Sequence, residues 1–186
     1  LKVILDDADL SLLPVVSDQI AWAVGKMGGT LTITGTASDP AVNGTISVLD
    51  GSAKFKLVES PVEHINISTT FSGNRFTVDN FTGSVGSGTF DLSGALSFAN
   101  YTVSDYNFTL TADNLDIRSK IFSGPFNAEF NLSEVKIFDK SFPKIAGVLD
   151  FDKCTVSVPA IPDSDAPLPP ILMDITINLG EKVHFY

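Results

Sequence analysis

The sequence has few of the groups on which enzymes and nucleic-acid-binding proteins depend. It contains one cysteine, Cys154, and two histidines, His64 and His184. A single cysteine excludes a disulfide within the chain, and two separate histidines offer little for acid–base catalysis or metal binding. The 12 lysines and arginines are outnumbered by 22 aspartates and glutamates, which gives a formal net charge of −10. This acidity argues against nucleic-acid binding and against electrostatic docking on anionic lipid headgroups.

Charge of either sign is scarce as well. Charged residues make up 18% of the chain and hydrophobic residues 44%, whereas about 25% charged residues is typical of globular domains. The mean hydropathy is +0.22, yet no run approaches the roughly 18 apolar residues of a membrane-spanning helix. From a chain of 186 residues we expect one soluble domain with a large apolar face.

Apolar and polar residues alternate along most of the chain. In residues 88–98, Phe90, Leu92, Leu96 and Phe98 share one phase, and the polar residues between them take the other. Successive side chains of a strand point to opposite faces, so this pattern predicts strands with one apolar and one polar face. Such strands are typical of an antiparallel sheet that is solvated on one side. We therefore predict an all-β fold of long, mostly antiparallel strands.

Two dipeptides predict hairpin turns within this sheet. Asp50-Gly51 favours a two-residue turn that would place residues 46–48 opposite residues 53–55. Gly73-Asn74 would likewise place Phe71 opposite Phe76. The alternation also changes phase at three places, which we interpret as β-bulges or bends: between residues 110 and 115, near Glu134, and near residues 152–153.

Two segments depart from the strand pattern. Apolar residues recur near helical spacing from Leu12 to Val24, with Pro14 in the first turn. This spacing predicts a short amphipathic helix over about residues 10–24 that covers part of the apolar face; an irregular loop is the alternative. Residues 159–170 hold five of the ten prolines, which predicts a loop or excursion between two strands.

No motif predicts catalysis or a cofactor. The glycine-rich segment 83–89 lacks the spacing of a phosphate-binding loop and is interpreted as a turn between strands. The acidic clusters at residues 6–9 and 163–165 lack the spacing of a calcium loop. His64 and His184 take polar-face positions, and Cys154 shares the phase of two valines. We expect no enzyme, cofactor or metal, and the apolar phase of most aromatics disfavours a sugar-binding solenoid.

An ordered set of motifs over residues 10–98 carries a family resemblance. The segment combines an apolar helix, a G-x-L-x-I-x-G-T stretch, a later proline and glycine, an Asp-Gly pair, and a final G-T-x-x-L-x-G. On this pattern the chain resembles the TamB and AsmA-like family. The matching residues are Leu31, Ile33, Gly35, Thr36, Pro40, Gly44, Asp50, Gly51, Pro61, Ile65, Gly88, Thr89, Leu92 and Gly94.

The resemblance implies a fold, a location and a set of partners. Members of that family form a U-shaped sheet, a β-taco, with an apolar concave face. They are anchored in the bacterial inner membrane and cross the periplasm, and they are linked to phospholipid movement toward the outer membrane. TamB itself is also linked to a barrel partner of the TamA type and to outer-membrane protein assembly. On this resemblance, residues 1–186 are one periplasmic β-taco segment of a longer protein.

We therefore expect the apolar face to be a groove for phospholipid acyl chains. The alternative is a chaperone or scaffold for outer-membrane β-barrels and autotransporters, in which a sheet edge pairs with a nascent strand. A further possibility is that the same residues form the core of an ordinary β-sandwich. The predicted groove residues are Leu31, Ile33, Ile46, Val48, Phe55, Ile65, Ile67, Phe71, Phe76, Phe90, Leu92, Leu96, Phe98, Phe108, Leu110, Phe126, Phe130, Leu149, Phe151, Ile175 and Ile177.

Overall fold

The computed structural model describes residues 1–36, 40–99, 102–119, 122–138, 140–157 and 170–185. Within these ranges ten strands form one sheet, in which the order of the strands follows the chain from β1 to β10. Their bounds are β1 Lys2–Asp9, β2 Ile20–Gly35, β3 Pro40–Phe55, β4 Val62–Gly73, β5 Arg75–Val85, β6 Gly88–Ala99, β7 Thr102–Arg118, β8 Phe122–Ile137, β9 Lys140–Val156 and β10 Leu172–Phe185.

The strands pair antiparallel from β1 through β9, and β10 pairs parallel with β9. The sheet is open and curved, with one short helix near the N-terminus, which confirms the predicted fold class. The described residues form no second sheet, so the alternative of an ordinary β-sandwich core is wrong for them. The predicted proline-rich excursion falls mainly on residues 159–169, which lie outside the described ranges.

The predicted helix is much shorter than residues 10–24. A 3₁₀ turn covers Leu10–Leu12 and helix α1 covers Leu13–Val16, after which β2 begins at Ile20. Asp9 caps the start, because its carboxylate accepts a hydrogen bond from the Ser11 N–H at 2.8 Å. The apolar residues among 20–24 fit both helical spacing and strand alternation. Pairing with β3 makes the segment a strand, in which Ala23 pairs with Ala53 and is buried. Pairing across the sheet therefore overrides the local helical spacing.

The Asp50-Gly51 pair makes a bulge and not the predicted hairpin. Both residues lie inside β3, and the register of β3 against β4 shifts between Val48 and Gly51. Asp50 has φ +50°, and its N–H donates to Oδ1 of Asn66 at 3.1 Å. Asp-Gly tolerates positive φ in a turn and in a bulge alike, so the two outcomes have the same local chemistry.

Of the other predicted irregularities, the second hairpin and two of the three bulges are confirmed, and one bulge is wrong. The Gly73-Asn74 hairpin is confirmed, with Phe71 opposite Phe76 and their ring centroids 4.8 Å apart. Register shifts confirm bulges between residues 112 and 115 and between residues 150 and 155. Near Glu134 the predicted bulge is absent, because residues 127–137 pair with residues 140–150 without a shift.

The core is thin and lies at one end of the sheet. One cluster joins Leu10 to buried residues of β2, β3 and β4, and a second joins β5, β7 and β8. Val62 packs against both clusters. Among the described residues, no large side chain is less than 2% exposed. The fold therefore rests mainly on its backbone ladder and on apolar contacts that remain partly open.

Candidate functional site

The strand register places the predicted groove residues on one face of the sheet. Residues directly opposite one another in a ladder project on the same side. Leu92 pairs with Leu110, and Leu110 pairs with Phe130. Leu149 pairs with Ile177 on the last strand. Equivalent pairs and the alternation within each strand connect all 21 predicted residues, and we call their shared apolar face the trough.

The middle of the trough contains a cavity of about 470 Å³ between β6 and β10. This volume lies within the roughly 300–1,000 Å³ of ligand sites. Every side chain that lines it is apolar. The lining residues are Leu92, Phe108, Leu110, Phe130, Leu132, Ile145 and Ile175.

Two of these lining residues, Leu132 and Ile145, were not among the predicted groove residues. Leu132 pairs with Ile145 and also with Phe108, which is a predicted residue. The signal that could have found them is the period of two, because Leu132 follows Phe130 by two positions. The apolar face of the trough therefore includes more residues than the sequence predicts.

The trough is closed at one end. Leu10 belongs there to a buried cluster that includes Ala23 and Ile65, and the loop of residues 56–61 lies at the same end between β3 and β4. The Glu59 N–H donates to the Arg118 carbonyl oxygen at 2.8 Å. Glu59 lies in the loop between β3 and β4, and Arg118 ends β7, so this bond connects the loop to a strand that is adjacent to neither β3 nor β4. We call the end of the sheet at residues 10–16 and 56–61 the closed end.

The trough is exposed toward its other end and toward the β10 edge. Phe98 is 40% exposed at the far end of β6. Along β10, Ile177 is 56% exposed and Met173 69% exposed. A protein core would bury side chains of this size. These residues are therefore the part of the trough that a ligand or partner would cover.

The opposite face of the sheet is polar and internally hydrogen-bonded. Nδ2 of Asn131 donates to Oδ1 of Asn107 at 2.7 Å, and the Thr70 hydroxyl donates to a carboxylate oxygen of Asp79 at 2.7 Å. These contacts join neighbouring strands and face solvent. The sheet thus has two chemically different faces, as the alternation predicts.

The groups considered for catalysis are not assembled into a site. Nδ1 of His64 lies 2.9 Å from Oδ1 of Asp50, and both side chains are largely exposed. His184 is exposed on β10, far along the chain from that pair. Burial raises the pKa of the Cys154 thiol, which lowers its reactivity as a nucleophile. No three His, Cys, Asp or Glu side chains converge as metal ligands in the described ranges.

Comparison with known proteins gives no match among family models, curated proteins or solved structures. Over the residues that the structure describes, no helix is both long and apolar enough to cross a membrane. The family resemblance carried by residues 10–98 therefore stays a prediction, and function has to be argued from the trough itself.

Proposed function

We propose that the trough holds phospholipid acyl chains. On this proposal the chain is a periplasmic segment of an inner-membrane-anchored protein that carries phospholipid between the two bacterial membranes, with a TamA-type barrel as partner. The observation that supports it most directly is the cavity between β6 and β10, whose lining is wholly apolar and open to one side. A polar substrate would find no hydrogen-bond partner there.

The burial of hydrocarbon along the apolar face can stabilise a bound acyl chain without contacts at fixed positions. Each CH₂ group removed from water contributes about 0.8 kcal/mol, so an acyl chain gains stability wherever it lies along the apolar face. Because the lining of the cavity offers no polar contact that fixes a register, an acyl chain could slide. Sliding is what a conduit requires and what a closed pocket prevents.

The dimensions are also adequate. Strands β7 and β9 each have 17 residues, and at about 3.3 Å per residue they extend roughly 55 Å. One leaflet of a bilayer has a hydrocarbon thickness of about 15 Å. An acyl chain laid along the strands would therefore occupy only part of the trough and could enter from the exposed end, opposite Glu59.

Photo-crosslinking in cells tests this proposal. We would place the crosslinking residue at Phe108 or Phe130, which face the trough, and at Thr109 or Glu129 as outward-facing controls one position away. Cells fed radioactive phosphate should yield labelled protein only from the inward positions. Equal labelling at the inward and outward positions, or no labelling in a folded and abundant protein, would contradict lipid occupancy.

The edge of β10 favours a second candidate, a scaffold for nascent outer-membrane strands. Strand β10 pairs only with β9 in the described sheet, so one side of its 14 residues can accept another strand. Successive residues direct their backbone groups to opposite sides, so proline at one of Thr176 and Ile177 removes an outward N–H, and proline at the other removes an N–H that faces β9. If only the variant without the outward N–H lost client crosslinks while lipid labelling persisted, the scaffold role would be favoured.

A further inference from the structure

A depression on the polar face gathers a quarter of the lysines and arginines of this acidic chain. It has a volume of about 430 Å³, lies at the closed end of the sheet, and is lined by Arg118, Lys153, Lys182 and His184. These four side chains include three of the 12 lysines and arginines and one of the two histidines. Such a concentration is not expected from a sequence with a net charge of −10.

The strand ladders bring these residues together. Arg118 pairs with Ser123, Ser123 with Thr155, and Thr155 with His184, which makes one row across β7, β8, β9 and β10. Lys153 lies two residues before Thr155 on the same face and pairs directly with Lys182. Neighbouring strands lie about 4.8 Å apart, so a small ligand could reach both rows.

The opposition of Lys153 and Lys182 needs a physical explanation. Like charges directly across a ladder destabilise a sheet. Neither ammonium group forms an ion pair within the described ranges, where the nearby Arg118 instead contacts Asp116, with Nη2 3.5 Å from Oδ2. An anion placed between the two ammonium groups would convert this repulsion into two attractions.

We propose that this depression binds a phosphate group. The lining supplies three fixed positive charges from Arg118, Lys153 and Lys182 and one negative charge from Asp116, a sum of about +2 that matches the roughly −1.5 to −2 of a phosphate monoester at neutral pH. A guanidinium fork suits phosphate oxygens.

The hydroxyl groups of Ser123 and Thr155 lie in the same row and can donate further hydrogen bonds to phosphate oxygens. The site is on the opposite face from the trough, so it does not depend on lipid occupying the trough. The phosphate could belong to a free anion, for which the charges match, or to a phospholipid headgroup, whose phosphodiester carries less negative charge and would be held less tightly.

Charge reversal tests this assignment in the purified chain. We would titrate inorganic phosphate at low salt and follow the amide resonances of Ser123 and Thr155. Lys153→Glu should weaken phosphate binding at least tenfold. Lys136→Glu makes the same change of net charge at an exposed position near the other end of β8 and should leave binding within twofold.

A second pair of measurements separates a folding defect from a binding defect and identifies the source of the phosphate. Lys182→Glu places opposite charges across the ladder, so it should raise the melting temperature while it abolishes the phosphate response. Binding to phosphatidylglycerol vesicles that is lost in Lys153→Glu would identify a headgroup site, whereas a response to phosphate alone would identify a free-anion site. No response to either probe, or equal responses in Lys153→Glu and Lys136→Glu, would overturn the proposal.

Discussion

A carboxylate placed in the trough should expel lipid without unfolding the sheet. Phe108 is the position of choice, because it lines the cavity and its ladder partners are Gly94 and Leu132. In Phe108→Asp the new carboxylate would face a lining that offers no hydrogen-bond donor. Water can solvate it when the trough is empty, since Phe108 is only partly buried.

The expected magnitude follows from the cost of covering that carboxylate with hydrocarbon. A buried polar group without a partner costs about 2–7 kcal/mol, and each 1.4 kcal/mol is a factor of ten in an equilibrium constant. The lower limit already predicts a fall of roughly 30-fold in lipid retention. Thr109→Asp adds the same charge on the exposed polar face, where the effect on stability should stay within about 0.5 kcal/mol.

The assay is the amount of phospholipid that copurifies per chain, measured by mass spectrometry of extracts, together with circular dichroism of the same samples. Phe108→Leu should retain lipid, because it preserves the apolar surface. Lipid retention in Phe108→Asp equal to that in Thr109→Asp would refute the argument. A loss of strand signal in Phe108→Asp alone would instead mean that Phe108 belongs to a structural core.

Three further predictions concern the scaffold that shapes the trough. Gly147→Ala should destabilise the chain by about 1–3 kcal/mol or more in urea unfolding, because a Cβ at φ +155° would lie 2.0 Å from the Glu129 carbonyl oxygen. Gly28→Ala, where the added atom meets nothing closer than 3.9 Å and φ is not in the left-handed region, should cost less, and equal costs would contradict the clash. Glu59→Pro removes the N–H that bonds to the end of β7 and should cost about 1 kcal/mol. It should also speed amide exchange at the closed end relative to Glu59→Ala, which keeps the N–H. Burial raises the pKa of Cys154, so iodoacetamide at neutral pH should modify this thiol slowly in the folded chain and rapidly in urea.

The sequence predicts the faces of the strands better than it predicts where strands begin and turn. The side of the sheet that Phe108 faces follows from the alternation of side chains within its own strand, and every paired strand has this period of two. The predictions for the segment 20–24 and for the Asp50-Gly51 pair are wrong because the local chemistry of each fits two structures. The choice depends on β3 for the segment 20–24 and on β4 for the Asp50-Gly51 pair, and each of these partner strands lies later in the chain.

In the candidate sites too, local sequence predicts some features, whereas others depend on strands that are distant in the chain. The apolar lining of the trough follows from alternation, and even the omitted Leu132 and Ile145 carry that signal. The exposure of Ile177 could not be predicted, because it depends on β10 being the edge of the sheet. The approach of Arg118 to Lys182 depends on the bulges at residues 112–115 and 150–155, which the changes of phase predict. It also depends on the parallel pairing of β9 with β10, which has no short sequence signature.

The sheet order from β1 to β10 also has a consequence for how the molecule forms. When each strand pairs with its predecessor in the chain, the sheet can be added to one strand at a time, much as a repeat protein propagates from unit to unit. The last addition is the slowest, because Leu172 pairs with Lys144 across 28 residues, whereas Arg75 pairs with Ser72 across three. Closing the longer loop costs about 2 kcal/mol more. Strand β10 should therefore join the sheet last and detach first, so the exposed wall of the trough is also its most dynamic one.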